Sequence, residues 1–266
     1  MAPPGDLALF GSGETSPAGR RVHEHLFERL GRPVDVAILN TPAGFETNAT
    51  RVVDRIKQFL EHSLRNFQPN VELVHAPRAD GRGTNDATAL APMLQANYLF
   101  AGPGSPSYAV RHLRDSLALR YLAERWRAGA TVAAASAAAV AFGRWSLPVY
   151  EIFKAGHDPH WLDGLDILEP LGYRLAVVPH WNNREGGDDF DSARCYVGLA
   201  RFAELKAQLP AEATILGIDE QTACVMEFAA ARGLVLGTGS VTIERNGRVE
   251  VCHSGDSFPL ERLRSA

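Results

Sequence analysis

The 266-residue chain is 45% hydrophobic and 22% charged, the proportions of an ordinary globular protein that can bury one large core. Its formal charge of −4 is made of interspersed signs, which excludes a basic stripe for nucleic acid and a polybasic segment for a membrane surface. No apolar run approaches the ~20 residues that span a bilayer, and Met1 to Asp6 lacks a cationic segment followed by a hydrophobic one, so a cytoplasmic location is expected.

The first half alternates short apolar runs with amphipathic stretches. It predicts strand Leu7 to Phe10, helix Ala18 to Leu30, strand Val34 to Leu39, helix Glu46 to Leu64 and strand Val71 to His75. A helix near Ala87 to Gln95, strand Tyr98 to Ala101, helices through Ser105 to Ala128 and strand Thr131 to Ala134 follow. Each strand in such an order needs a crossover to return in the same direction, which implies a parallel sheet with helices on both faces. Next come a strand or hairpin around Pro148 to Phe153, strand Leu175 to Pro179 and a helix from about Ala193 to Gln208. The carboxyl end is strand-rich, with Ile215 to Ile218, Ala223 to Phe228, Leu234 to Leu236, Val241 to Glu244 and Val249 to His253. The expectation is a single α/β domain over residues 1–266. It is a three-layer sandwich whose mainly parallel sheet continues into antiparallel strands at its carboxyl-terminal edge.

Ligands of such sheets bind beyond the carboxyl ends of the strands. Four ends carry small or polar residues suited to that crevice: Gly11 to Thr15, Asn40 to Gly44, Gly102 to Pro106, and Ser136. Any one of them is equally a turn that uses glycine and proline for its geometry. Gly11-Ser12-Gly13 lacks the third glycine of a nucleotide fingerprint, and no acidic residue is placed for a ribose, so no dinucleotide site is expected. Cys195, Cys224 and Cys252 lack metal-ligand spacing and read as reduced, buried thiols, and neither a metal nor a cofactor is expected.

Ser136 sits in the run Thr131 to Phe142, where a strand should turn sharply into a helix. A hydroxyl on a strained strand-to-helix turn needs tiny neighbours, and Ala134 and Ala138 stand where such elbows usually carry glycine. An alanine-rich core helix with one small polar residue is the competing reading. A serine nucleophile needs an imidazole within reach, and His180, at the end of Leu175 to Pro179, is the histidine delivered to the same sheet edge. His75 also ends a strand, whereas His23, His25 and His62 fall in predicted surface helices. The N–H of Ala137 and that of Gly102 or Gly104 are the candidate donors to an oxyanion.

These features together, Gly102-Pro103-Gly104-Ser105, the elbow at Ser136, His180-Trp181 and Gly217 to Ala223, resemble the dipeptidase E and cyanophycinase family of serine peptidases, which have a class I glutamine amidotransferase-like fold. The resemblance covers most of the chain in order. It implies a Ser-His-acid triad with the acid a little after the elbow, which matches Glu151 best and Asp158 second. A carboxylate in Asp219-Glu220, which follows a family motif more closely, would brace the fold or the site wall, or orient the histidine. It further implies substrate contacts from the stretch after the histidine, here Trp181, Asn182 and Arg184, with Arg194 more distant. That stretch carries Glu185, Asp188, Asp189 and Asp191 in place of an arginine cluster, so specificity for an aspartyl side chain is not carried over.

The expected activity is a serine hydrolase, a peptidase or amidase acting on a small peptide or amide. Two alternatives stand beside it: a non-catalytic ligand-binding or scaffold protein, and a glutamine amidotransferase-like protein whose cysteine nucleophile is replaced by Ser136. An exposed edge strand or apolar helix offers a surface for a homodimer, without the sequence identifying which.

Overall fold

The computed structural model describes residues 2–264. The first half runs β1 (Leu7–Phe10), α1 (Pro17–Leu30), β2 (Asp35–Leu39), α2 (Ala49–Ser63), β3 (Asn70–Val74), α3 (Ala91–Gln95), β4 (Tyr98–Ala101), α4 (Pro106–Leu113), α5 (Leu117–Arg127), β5 (Thr131–Ala135) and α6 (Ala137–Phe142). Then follow β6 (Trp145–Ser146), α7 (Val149–Phe153), β7 (Leu162–Asp163), β8 (Leu175–Val178), α8 (Leu199–Gln208), β9 (Thr214–Ile218), β10 (Thr222–Glu227), β11 (Arg232–Gly237), β12 (Ser240–Arg245), β13 (Arg248–His253) and β14 (Ser257–Pro259). Helix starts are set by serine and proline. Ser16 and Ser105 each accept a backbone N–H three residues on, and the proline that follows each fits the first helical position because its missing N–H would have had no partner there.

Among the described residues the strands form two mixed sheets. The first has the order β14-β11-β10-β1-β5-β4-β2-β3, with β1 to β5 mutually parallel and β10, β11 and β14 antiparallel at the carboxyl-terminal edge. The second has the order β13-β12-β9-β8-β6-β7, in which β8 runs parallel to β9. The α/β class with flanking helices agrees with the sequence reading, whereas one continuous sheet does not. Strands β8 and β9 are apolar on both faces, and such a run announces burial on two sides without naming its neighbours.

Period-two alternation distributes the core. Ala8 and Phe10 face α1 and α2, packing with Val22, Leu26, Val53 and Leu60. Leu7 and Leu9 face the opposite way, into a core that α6 and the inner face of the second sheet share through Ala138, Val177, Leu216 and Ile218. The outer face of that second sheet, with Ala176, Val178 and Ile215, is covered by Ile152 of α7 and by Phe202 and Leu205 of α8. The four alanines of α6, all buried, let this helix fit between the two sheets.

Three local features depart from the sequence reading. Residues 149–153 form helix α7 instead of a strand, and α8 begins at Leu199 instead of near Ala193. Arg194, Cys195 and Tyr196 adopt φ of 59°, 61° and 67°, a left-handed turn that a right-handed helix cannot absorb. His23 is completely buried in α1 instead of facing solvent.

The burial of His23 is balanced by two hydrogen bonds. The Glu14 carbonyl oxygen, 3.0 Å from Nε2, can only accept, so Nε2 carries the proton and Nδ1 accepts from the Tyr98 hydroxyl at 2.6 Å. Burial lowers the His23 pKa from 6.5 to about 4. The unfolded chain therefore takes up a proton as pH falls below 6.5 while the folded chain refuses it until about 4. Stability from this group is full above pH 6.5 and drains away as pH falls through that window, by about 3 kcal/mol. Urea unfolding between pH 7 and pH 4 is expected to show this loss, and His23→Gln to show correspondingly less pH dependence. An unchanged dependence in the variant would contradict the assignment.

Candidate active site

Ser136 is the first residue after β5, with φ 49° and ψ −108°, a conformation costly for any residue with a Cβ. It stands at the cap position of α6, yet its hydroxyl makes no bond to that helix. The flanking alanines explain how the turn is built without glycine. Ala134 is paired between Leu9 and Ala101, Ala138 lies in the core shared by the sheets, and both are fully buried in a close-packed interior that favours a small side chain.

His180 follows β8 through Pro179 and is itself held at φ 49°. Its N–H donates to Gly11 O at 3.3 Å, and the N–H of Ser136 donates to Phe10 O at 3.1 Å, so the end of β1 ties the two residues to one rim. Ser136 Oγ lies 3.0 Å from His180 Nε2. On the far side of the ring, Nδ1 lies 3.0 Å from Oε1 of Glu220. Strands β8 and β9 are parallel neighbours with Val178 opposite Gly217, so the turns that follow them, carrying His180 and Glu220, emerge side by side.

Glu220 is held on three sides. Its Oε1 accepts from Asn183 Nδ2 at 2.7 Å, its N–H donates to Asn182 Oδ1 at 2.8 Å, and it faces the imidazole. The hydrogen bond to His180 lowers the carboxyl pKa, with help from Asn183 and against the opposing effect of burial, so the group is a carboxylate at neutral pH. A carboxylate only accepts, which places a proton on Nδ1 and leaves the Nε2 lone pair facing the serine hydroxyl.

The other residues singled out from the sequence lie elsewhere. Glu151, in α7, does not reach His180; it borders a separate cavity with Phe45, Tyr108 and Arg111. Asp158 is exposed on the loop after α7. Trp181 is a core residue, packed edge-on against Phe202 under the Arg194 guanidinium, which sits 3.7 Å from its ring centroid. A Cβ on Gly217 would come within 2.4 Å of the Trp181 ring, so glycine in β9 makes room for the indole. Asn182 braces the Glu220 backbone, and Arg184 is exposed and does not line the cavity beside the serine. Gly102 packs towards Phe100 and Ile56, whereas Gly104 and Ala137 line that cavity. Gly104 has φ 147°, and a Cβ there would meet Pro42 O at 2.0 Å.

Asn183 and Tyr196 escaped the sequence reading. Asn183 is almost fully buried, and its Oδ1 accepts the Glu185 N–H at 3.0 Å, which fixes the amide that holds Glu220. Tyr196 lies at the end of the left-handed turn, its ring centroid 5.6 Å from that of His180 and its hydroxyl bonded to Glu185 at 2.8 Å. Cys195 of the same turn lines the cavity, but burial pushes its thiol up to about 12, so it is not a thiolate nucleophile at neutral pH. The cavity beside Ser136 measures about 260 Å³.

No family model matches the chain, and no curated protein does. Solved structures do. A peptidase from an acI-B1 Actinobacterium superposes with a TM-score of 0.76 at 20% identity, covering 97% of each chain. A protein described as a "Putative Peptidase E Protein" from Listeria monocytogenes EGD-e superposes with a TM-score of 0.55 at 15% identity, covering 95% of this chain and 99% of that one. Over nearly its whole length the chain therefore shares its fold with structures described as peptidases.

Proposed function

We propose that the protein is a serine peptidase or amidase in which Ser136 is the nucleophile, His180 the general base and Glu220 the acid that orients the imidazole. The reading rests on one observation: the unbroken chain of contacts from Ser136 Oγ to His180 Nε2 at 3.0 Å and from His180 Nδ1 to Glu220 at 3.0 Å. The fold shared with two structures described as peptidases supports it.

In the first step Nε2 takes the hydroxyl proton as Oγ attacks the carbonyl carbon of the substrate amide. Negative charge gathers on the former carbonyl oxygen. The Ala137 N–H, at the first position of α6 with no carbonyl four residues earlier in that helix, and the Gly104 N–H, both of residues that line the cavity, are the donors assigned to it. The imidazolium formed is stabilised by the Glu220 carboxylate and passes its proton from Nε2 to the departing amine, leaving an ester on Ser136. Water then adds to the ester, gives its proton to Nε2 and releases the acid, and the serine recovers its proton.

A fluorophosphonate probe tests the reading without knowledge of the substrate. The native protein is expected to gain one adduct at Ser136, and Ser136→Ala none. Absence of labelling in the native protein, or equal labelling in the variant, would overturn it.

A further inference from the structure

We propose that the cavity beside Ser136 receives an apolar or aromatic side chain on the acyl side of the scissile amide, and that it disfavours an acidic one. The proposal rests on the serine-hydrolase reading above and adds the substrate class.

The wall of the cavity is the first ground. Beyond Ser136 and His180 it is formed by Val140, Val149, Tyr150, Phe153 and Tyr196, with Pro103 and Pro106. Val140 and Val149 belong to a core cluster and cannot turn away to expose polar groups. Phe153 and Tyr196 sit 5.7 Å apart between centroids at an interplanar angle of 34°, and Phe153 is backed by Phe190 at 5.4 Å. A side chain entering between these groups exchanges water for hydrocarbon and ring faces, which favours carbon and penalises an unpaired carboxylate.

Charge is the second ground. Arg194, half-buried, is held over the Trp181 ring and donates from Nη1 to Trp181 O at 2.7 Å, and it does not line the cavity. Among the described residues, the one lysine or arginine that lines it is Lys154, exposed at the rim with Nζ 4.5 Å from the Phe153 ring centroid. Against it stand the Glu220 carboxylate behind His180 and Glu185 behind Tyr196. A substrate carboxylate would enter a space with no buried cation among its described lining residues, where the rim ammonium is solvated and two carboxylates stand behind the wall.

Size is the third ground. A volume of about 260 Å³, near the lower end of the ~300–1,000 Å³ of ordinary small-molecule pockets, accommodates a substrate side chain.

The test is protection of Ser136 from fluorophosphonate labelling by aminoalkyl boronic acids with a benzyl, isobutyl or carboxymethyl side chain, each of which can form a tetrahedral adduct with a serine hydroxyl. The benzyl and isobutyl compounds are expected to protect at concentrations about 100-fold lower than the carboxymethyl compound. Equal or better protection by the carboxymethyl compound would overturn the proposal while leaving the serine reading intact, and its loss in Lys154→Ala would assign carboxylate recognition to the rim lysine. Failure of any boronic acid to protect a serine that does label would also refute the cavity as an acyl-side pocket. If Ser136 does not label at all, the hydrolase reading falls first and the specificity with it.

Discussion

Glu220→Gln is expected to lower kcat by about 10³–10⁴-fold with little change in KM. The loss follows from which ring nitrogen carries the proton. The carboxylate holds Nδ1 in its protonated form at 3.0 Å and so leaves Nε2 free to accept from Ser136. A glutamine amide can turn its NH₂ towards Nδ1, which then becomes the acceptor. The proton moves to Nε2, and the serine faces a donor where it needs a base. Asn183, whose Nδ2 now donates to Oε1, would meet the same confusion of donors. Glu151→Gln serves as the contrasting variant: its carboxylate borders a different cavity, and its kcat is expected to stay close to that of the unsubstituted protein. Steady-state kinetics on any turned-over amide distinguishes the two, and a large loss in Glu151→Gln with none in Glu220→Gln would reverse the assignment.

The effect expected for Ser136→Ala is larger still, about 10⁴–10⁶-fold in kcat. Without Oγ there is no covalent intermediate, and any residual rate must come from water attacking a carbonyl held by the Ala137 and Gly104 amides. The methyl of alanine occupies the place of the serine Cβ, and the hydroxyl makes no bond that holds the elbow, so the fold should survive. Circular dichroism and urea unfolding close to those of the native protein, together with the lost activity, separate a chemical role from a structural one. A variant that is folded and retains its rate would remove the nucleophile from Ser136.

Stability should also fall on acidification as Glu220 becomes protonated. Its folded pKa lies below the ordinary 4.5, so its contribution is present above that value and is lost only as pH falls through the lowered one. Both His23 and Glu220 thus favour neutral over acidic solution, but over different windows. Stability begins to decline below pH 6.5, ahead of the loss of the oriented imidazole.

The parts of this molecule that depend on neighbours in sequence were legible, and those that depend on sheet pairing were not. Strands Leu7–Phe10 and Tyr98–Ala101 are continuous apolar runs closed by glycine and appear with the bounds their composition suggests. Ser136 was visible because tiny residues crowd a single hydroxyl, and His180 because an apolar strand ends beside it. Glu220 was visible only as part of a motif. Its place beside His180 depends on β8 and β9 pairing in parallel with Val178 opposite Gly217, a long-range register that no local pattern encodes. Glu151 matches the acid that the resemblance implies a little after the elbow, yet in α7 it borders another cavity. Trp181 follows the histidine in sequence as a substrate contact would, yet its ring lies in the core against Gly217. The left-handed turn at Arg194 to Tyr196, which brings Tyr196 against His180, has no glycine to announce it.

The most direct measurement is the kcat of Ser136→Ala, of His180→Ala and of the double variant on one amide substrate. If the hydroxyl and the imidazole, 3.0 Å apart, act as a unit, the second substitution costs almost nothing after the first and the double variant is no slower than either single one. Losses that multiply, or a His180→Ala variant that keeps its full rate, would show that the two residues do not share a reaction step.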